Sequence, residues 1–171
     1  DGASKDGTLE IVKHFENVVT HCISEPDNGI YHAMNKGVSL ARGRYVYFLG
    51  ADDILLADFK MILSKLNKDH SVLYSNVRLL SNGCTYLGEF NNYKLMQSNI
   101  CHQSIFYSRD VLLTNPFDEK YKYLADYVLN IKLFSTVDFV YYPFVICEYN
   151  DFGASSSGDM LFEKNRIKLI H

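Results

Sequence analysis

An α/β domain is the fold class this sequence predicts, and three observations carry the prediction. Apolar patterns over the first third of the chain alternate as helix, strand, helix, strand, helix, the order of a parallel sheet with crossover helices. The rhythm then changes to neighbouring strand-like runs joined through Ser81-Asn82-Gly83, whose Asn-Gly is a tight-turn signal. The sheet is therefore expected to be parallel first and mixed later. Finally, 171 residues, 47% of them hydrophobic and with only 3 Pro and 10 Gly, can fill one sizeable core. Neither repeats nor low-complexity stretches divide the chain, so a single domain over residues 1–171 is expected.

The elements follow in order. Asp1, Gly2 and Ala3 form a turn, and Asp6 is placed to cap a helix carrying Leu9, Val12 and Phe15 at helical spacing. An α/β domain does not normally begin in a strand-to-helix turn, so an element before Asp1 is expected to be missing. Residues 18–24 read as a short strand, and 25–29 as a polar turn. A second helix is predicted over about 30–41, with Ile30, Met34, Val38 and Ala41 on one face and Gly43 ending it. Residues 44–49 form an aromatic strand that stops at Gly50-Ala51-Asp52-Asp53, and a third helix carries Leu55, Phe59, Ile62, Leu63 and Leu66. Strands are then predicted at 71–80, 84–89 and 104–107, a helix at about 124–134, and one or two strands around Pro143 within 138–149. A last amphipathic helix, with Leu161, Ile167 and Ile170, starts near 158.

Composition excludes several functions. Seventeen basic and twenty acidic residues give a net charge of −3, so no global field recruits nucleic acid or anionic lipid. The longest apolar run, 139–147, is broken by Pro143 and is far shorter than the ~20 residues a membrane helix needs. Cys22, Cys84, Cys101 and Cys147 stand too far apart for a zinc knuckle or redox pair, and buried reduced thiols in a cytoplasmic setting are expected.

Chemistry-bearing residues are few. Asp52 and Asp53 lie at the carboxyl end of a predicted buried strand, where open α/β sheets bind ligands. Two adjacent carboxylates there are costly unless a cation or ligand hydroxyls compensate, and hard oxygen ligands suit Mg²⁺ or Mn²⁺ with a diphosphate. The plainer alternative is that one of them caps the following helix. Asp6-Gly7-Thr8-Leu9 imitates a phosphatase signature, but Ser4 stands where the nucleophilic Asp would be. Asp126, following the Tyr-rich segment 121–123, is a candidate general base or an ordinary helical carboxylate. His102 and Gln103 are candidates with a structural histidine as the alternative. Tyr86, Tyr93, Tyr121 and Tyr123 are either sugar-stacking rings or core.

Taken together these fragments form one ordered pattern. Residues 25–37 read EPDNGIYHAMNKG, continuing through Ala41-Arg42-Gly43-Arg44-Tyr45 to Phe48-Leu49-Gly50-Ala51-Asp52-Asp53. With the opening DGASKDGT, the later ICHQSIF and FDEKYKYLADY, and Gly-Ala-Ser-Ser at 153–156, the chain closely resembles the family 2 glycosyltransferases of bacterial capsule, exopolysaccharide and lipopolysaccharide synthesis. The resemblance implies a GT-A fold, three layers α/β/α, with a nucleotide-binding part at about 1–68 and an acceptor-side part at about 69–171. It implies sugar transfer with inversion from a nucleoside diphosphate donor, a UDP-sugar, to a glycan or lipid-linked acceptor, with Mg²⁺ or Mn²⁺.

Carried over by position, Asp1 and Asp27 fall at the nucleobase region, Asp52 at the ribose, Asp53 at the metal, and Asp126 at the general base. His102 and Gln103 become acceptor or diphosphate contacts. Peripheral association with the inner face of the membrane and oligomerisation are compatible with this reading. His32 stands where the family usually has Asp, Ala125 where many members have Glu, and the family's first strand and helix have no counterpart here. Two other readings are a non-catalytic carbohydrate-binding or assembly subunit, and a sugar nucleotidyltransferase, whose Gly-rich basic loop the sequence lacks.

Overall fold

Side chains along residues 72–79 alternate between two apolar cores, and that alternation makes this segment the centre of the sheet. The computed structural model of the chain describes residues 1–66, 69–86, 88–152 and 158–170. In chain order the elements are α1 (Thr8–His14), α2 (Ile30–Leu40), β1 (Tyr45–Tyr47), β2 (Ile54–Leu55), α3 (Phe59–Leu63), β3 (Val72–Leu79), α4 (Asn92–Gln97), a 3₁₀ turn (His102–Ser104), β4 (Ile105–Ser108), α5 (Arg109–Thr114), α6 (Ala125–Leu133), β5 (Phe139–Tyr149) and α7 (Met160–Ile170). The strands order as β1-β4-β3-β5-β2.

Leu73 and Val77 of β3 and Phe106 of β4 face one core with Ile62 of α3. Val72 and Tyr74, with Ile105 and Tyr107 of β4, face the other, which α2, α4, α5, α6 and α7 cover through Val38, Leu95, Leu112, Leu129 and Phe162. Period-two side chains on strands between two helical layers give the expected three-layer α/β/α arrangement. Seven of the nine residues of α6 are buried, and each large apolar side chain so buried contributes about 1.5–3 kcal/mol.

Pro143 lies inside β5 without ending it. Tyr74 pairs with Tyr141 and Asn76 with Val145, so β5 takes up extra residues across an irregularity in the ladder. A proline is tolerated there because a bulge has no ladder bond for it to break.

Several expectations need correction. Residues 18–24 form no strand: among the described residues no neighbouring strand offers their backbone a ladder, and a strand without one leaves its amides to water. The first half is not parallel. β1 and β2 both pair antiparallel, with β4 and β5, and the parallel pair is β3 with β5. Leu55 belongs to β2 instead of a helix, because its backbone pairs with Cys147, so α3 starts only at Phe59. The predicted strand at 84–89 reduces, among its described residues, to the single bridge Arg78↔Thr85. Of the cysteines, all free, only Cys147 is buried, while Cys22 and Cys84 are exposed. The Gly-Ala-Ser-Ser run and the side chains of Ile167 and Ile170 lie outside what is described.

Candidate active site

Asp1, Asp27, Asp52, Asp53, His102, Gln103 and Asp126 all line one cleft of about 1000 Å³. Residues more than a hundred positions apart in sequence meet there because the sheet brings their elements to a common edge.

The acidic pair is built by strand register. β2 pairs antiparallel with β5, Ile54 opposite Glu148 and Leu55 opposite Cys147, which carries Asn150 back beside the turn before β2. Asn150 then donates its backbone N–H to Asp53 Oδ1 (3.3 Å) and its side-chain amide to Asp52 Oδ2 (2.7 Å). The N–H of Gly50 donates to Asp53 Oδ2 at 2.9 Å. A Cβ at position 50 would lie 2.5 Å from that same oxygen, so only glycine allows the carboxylate to fold back this closely. Neither acid caps the next helix, which starts at Phe59.

Among the described residues no cluster of three or more His, Cys, Asp or Glu side chains holds a metal by itself. Asp52 and Asp53 nevertheless fit a Mg²⁺ or Mn²⁺ that draws its remaining ligands from phosphate and water, the usual mode for a small hard cation. The backbone amides occupy one position on each Asp53 oxygen, and ionised carboxylate oxygens accept further partners.

A second wall comes from the start of α2 and the opening segment. Asp27 lies beside the Lys36 ammonium (2.5 Å), which holds its carboxyl below the usual carboxylate range, with His32 Nδ1 at 3.2 Å. Lys36 also bridges to Glu25 at 2.7 Å. His32, the departure from the family pattern, thus makes a local partner for Asp27. The Asp1 carboxylate accepts from the Ser4 amide (3.1 Å) and the Ser24 hydroxyl, tying the first turn to the segment before α2.

The third wall is packed tightly. Asp126, in the first turn of α6, is only 7% exposed. Tyr31 donates its hydroxyl to Oδ1 at 2.6 Å, and Asn99 donates its amide to Oδ2 at 2.7 Å. Burial and the adjoining Asp126 charge push the Tyr31 hydroxyl far above its ordinary pKa, so it remains a donor. His102 Nδ1 stands 3.9 Å from Asp126 Oδ2, beyond hydrogen-bond range. Its ring stacks on Phe48, neither ring nitrogen has a hydrogen-bond partner among the described residues, and burial pulls its pKa down, which keeps it neutral. Gln103 accepts the Tyr47 hydroxyl on its backbone carbonyl at 2.7 Å.

Of the four tyrosines considered for sugar stacking, Tyr86 and Tyr123 line the cleft, Tyr121 is core, and Tyr93 is exposed on α4. Sequence reading missed Asn99 and Asn150 as partners of the acids. The one signal for Asn150 is its place immediately after the apolar run of β5, where strand ends meet ligands.

Chemically the cleft offers oxygen ligands for a cation, carboxylates able to accept hydrogen bonds from hydroxyl or amine groups, and a buried carboxylate able to take a proton. The family model described as "Glycosyl transferase family 2" matches residues 1–113. The PGL/p-HBAD biosynthesis glycosyltransferase of Mycobacterium bovis is 38% identical over 170 residues, covering 92% of this chain and 66% of that protein. Chondroitin synthase of Pasteurella multocida is 33% identical over 143 residues, 76% of this chain and 15% of that protein. Thus the chain spans a little under two thirds of the mycobacterial relative. In solved structures, S. aureus TarS in complex with UDP-GlcNAc superposes with a TM-score of 0.75 at 17% identity, covering 92% of this chain and 50% of that one. That likeness establishes the α/β GT-A fold, and with the family match over residues 1–113 it shows that this chain belongs to glycosyl transferase family 2.

Proposed function

We propose that the protein is an inverting glycosyltransferase. It moves a sugar from a nucleoside diphosphate donor, a UDP-sugar, to a glycan or lipid-linked acceptor in surface polysaccharide synthesis. The observation that carries this reading is the convergence of the acidic pair and the buried Asp126 on one cleft. The family supports glycosyl transfer, and a neighbour of the same fold is seen with UDP-GlcNAc.

In this reading the part before about residue 68 holds the nucleotide and the part after it holds the acceptor. Asp1 and Asp27 contact the base, Asp52 the ribose, and Asp53 a Mg²⁺ or Mn²⁺ bound with the diphosphate. When bound, that ion supplies positive charge against the charge that collects on the leaving diphosphate. Asp126 removes the proton of the acceptor hydroxyl as its oxygen bonds to the anomeric carbon and the bond from that carbon to the diphosphate breaks. A single base on the face opposite the leaving group gives inversion in one displacement. Neutral His102 and the neighbouring Gln103 offer hydrogen bonds to acceptor or diphosphate. Such an enzyme works on the cytoplasmic side, where its donors are made, and meets a lipid-linked acceptor at the inner face of the membrane. No helix among the described residues is long and apolar enough to cross one.

Isotope-labelled UDP-sugars offered with candidate glycan and lipid-linked acceptors test this directly. The expected product carries the label in an inverted linkage. Pyrophosphate chemistry would identify a nucleotidyltransferase instead, and binding without turnover a carbohydrate-binding subunit.

A further inference from the structure

Asp126 is the end of a buried hydrogen-bond chain that starts on β4. The Tyr107 hydroxyl, on β4, donates to Asn130 Oδ1 at 2.7 Å. Asn130 Nδ2 donates to Asn99 Oδ1 at 2.8 Å, and Asn99 Nδ2 donates to Asp126 Oδ2 at 2.7 Å. Asn130 is fully buried and stands four residues after Asp126, so the two side chains project from the same face of α6. The other carboxylate oxygen is held from α2 by Tyr31, whose hydroxyl lies 2.8 Å from the Tyr123 carbonyl as well.

The chain has one possible polarity. An ionised carboxylate only accepts, so Asn99 must turn its amide N–H toward Asp126. Its carbonyl then faces Asn130, which must offer its own N–H, and the Asn130 carbonyl is left for the Tyr107 hydroxyl. Buried amides rarely go unpaired, so each link dictates the next. The outcome is a carboxylate gripped once on each oxygen, with lone-pair positions remaining for one further donor. Resting on the reading of Asp126 as the base, we propose that Tyr31, Asn99 and Asn130 are positioning residues that aim this carboxylate at the acceptor hydroxyl. The chain fixes which end of the Asn99 amide the carboxylate meets.

Anchoring of α6 alone does not account for the chain. Val128, Leu129 and Leu133 already fix that helix in the core, whereas the polar chain runs to the carboxylate on the cleft wall. The titratable groups facing Asp126 are Tyr31, Tyr86, Cys101, His102 and Tyr107. Burial keeps each of them in its neutral form, so none of these groups supplies a cation to hold the carboxylate in place of the hydrogen bonds.

Tyr31→Phe tests the proposal, because it removes one donor and little else. The expected kcat falls about tenfold while the donor KM changes less than about twofold, the split expected of a group acting in the transition state. The acidic limb of the kcat–pH profile moves to higher pH, since a lost bond to the charged form disfavours that form. A merely structural role lowers kcat equally at every pH and leaves the limb in place. Asn130→Leu goes further: it leaves Asn99 without the amide that fixes its orientation, so the Asn99 amide can rotate and present its carbonyl to Asp126. Loss of turnover greater than in Tyr31→Phe is expected from any folded Asn130→Leu protein. Wild-type kcat and an unmoved limb in Tyr31→Phe, with Asp126→Asn inactive, would overturn the positioning proposal and leave the base standing. Wild-type turnover in Asp126→Asn would remove both.

Discussion

The first thirty residues and helix α6 are the two extremes of this molecule. Before Tyr31 no residue is buried, and α1 contributes nothing to either core. Ile11, Phe15, Val18 and Ile23 stay exposed. In α6, by contrast, the buried set includes both Asp126 and Asn130. Both regions place a carboxylate on the same cleft, yet they hold it by different means. Asp27 is held by the charge of Lys36, with His32 in contact beside it, and Asp126 by neutral donors fixed in a packed interior. The Asp27–Lys36 pair is partly open to solvent, and salt screens such a pair more than it does a buried one. A site built from packed donors is ready before the substrate arrives, the arrangement that a base in a displacement reaction needs.

Stability measurements sharpen the contrast. Leu129→Ala empties a space in the core beneath α6 and is expected to cost about 2–5 kcal/mol in denaturant unfolding. Next comes Asp159, which accepts from the amides of Tyr123 (3.0 Å), Leu161 (3.0 Å) and Phe162 (3.2 Å), pinning the start of α7 to the segment before α6. Burial works to raise its pKa, but these amide bonds prevail and lower it. Asp159→Asn should therefore cost about 1–3 kcal/mol at neutral pH. Because the folded pKa is the lower one, the stabilisation is complete above the ordinary carboxylate pKa of about 3.9 and disappears as pH falls through the folded value. The wild-type and Asp159→Asn stabilities should thus converge in acid. Ile11→Ala, on the exposed α1, is expected to stay within about 0.5 kcal/mol of wild type. A large loss there would show that the opening segment is packed after all and would break the comparison.

The same division explains what the sequence revealed. Helices α2 and α6 and strands β1, β3, β4 and β5 were legible because their apolar periodicity is answered by a core. Residues 18–24 carry the same β-branched signal, but propensity reports how well a side chain suits a pleated surface, not whether a neighbouring strand exists. Leu55 fits a helical stripe equally well in sequence, and only its pairing with Cys147 decides otherwise. The acidic residues of the cleft were legible as an ordered motif. Their partners were not. Asn99, Asn130 and Asn150 are asparagines like those of any turn until the fold turns their amides toward a carboxylate. Asn130 lies in a helix, where its residue type argues weakly against burial, and its four-residue spacing from Asp126 is the one clue the sequence held.

The proposed function divides labour within one cleft: in it the acids of the turn after β1 hold the donor, and the gripped carboxylate on α6 takes the proton. The most direct test is Asp126→Asn, with kcat measured against a true acceptor and UDP-sugar affinity measured separately by calorimetry. That substitution keeps size and hydrogen bonding while removing basicity, so kcat should fall about 10²- to 10⁴-fold. Donor affinity should stay within about twofold of wild type, whereas Asp53→Ala should weaken donor binding and abolish its sensitivity to EDTA. Near wild-type turnover by Asp126→Asn, or a donor affinity that falls in step with kcat, would contradict the account.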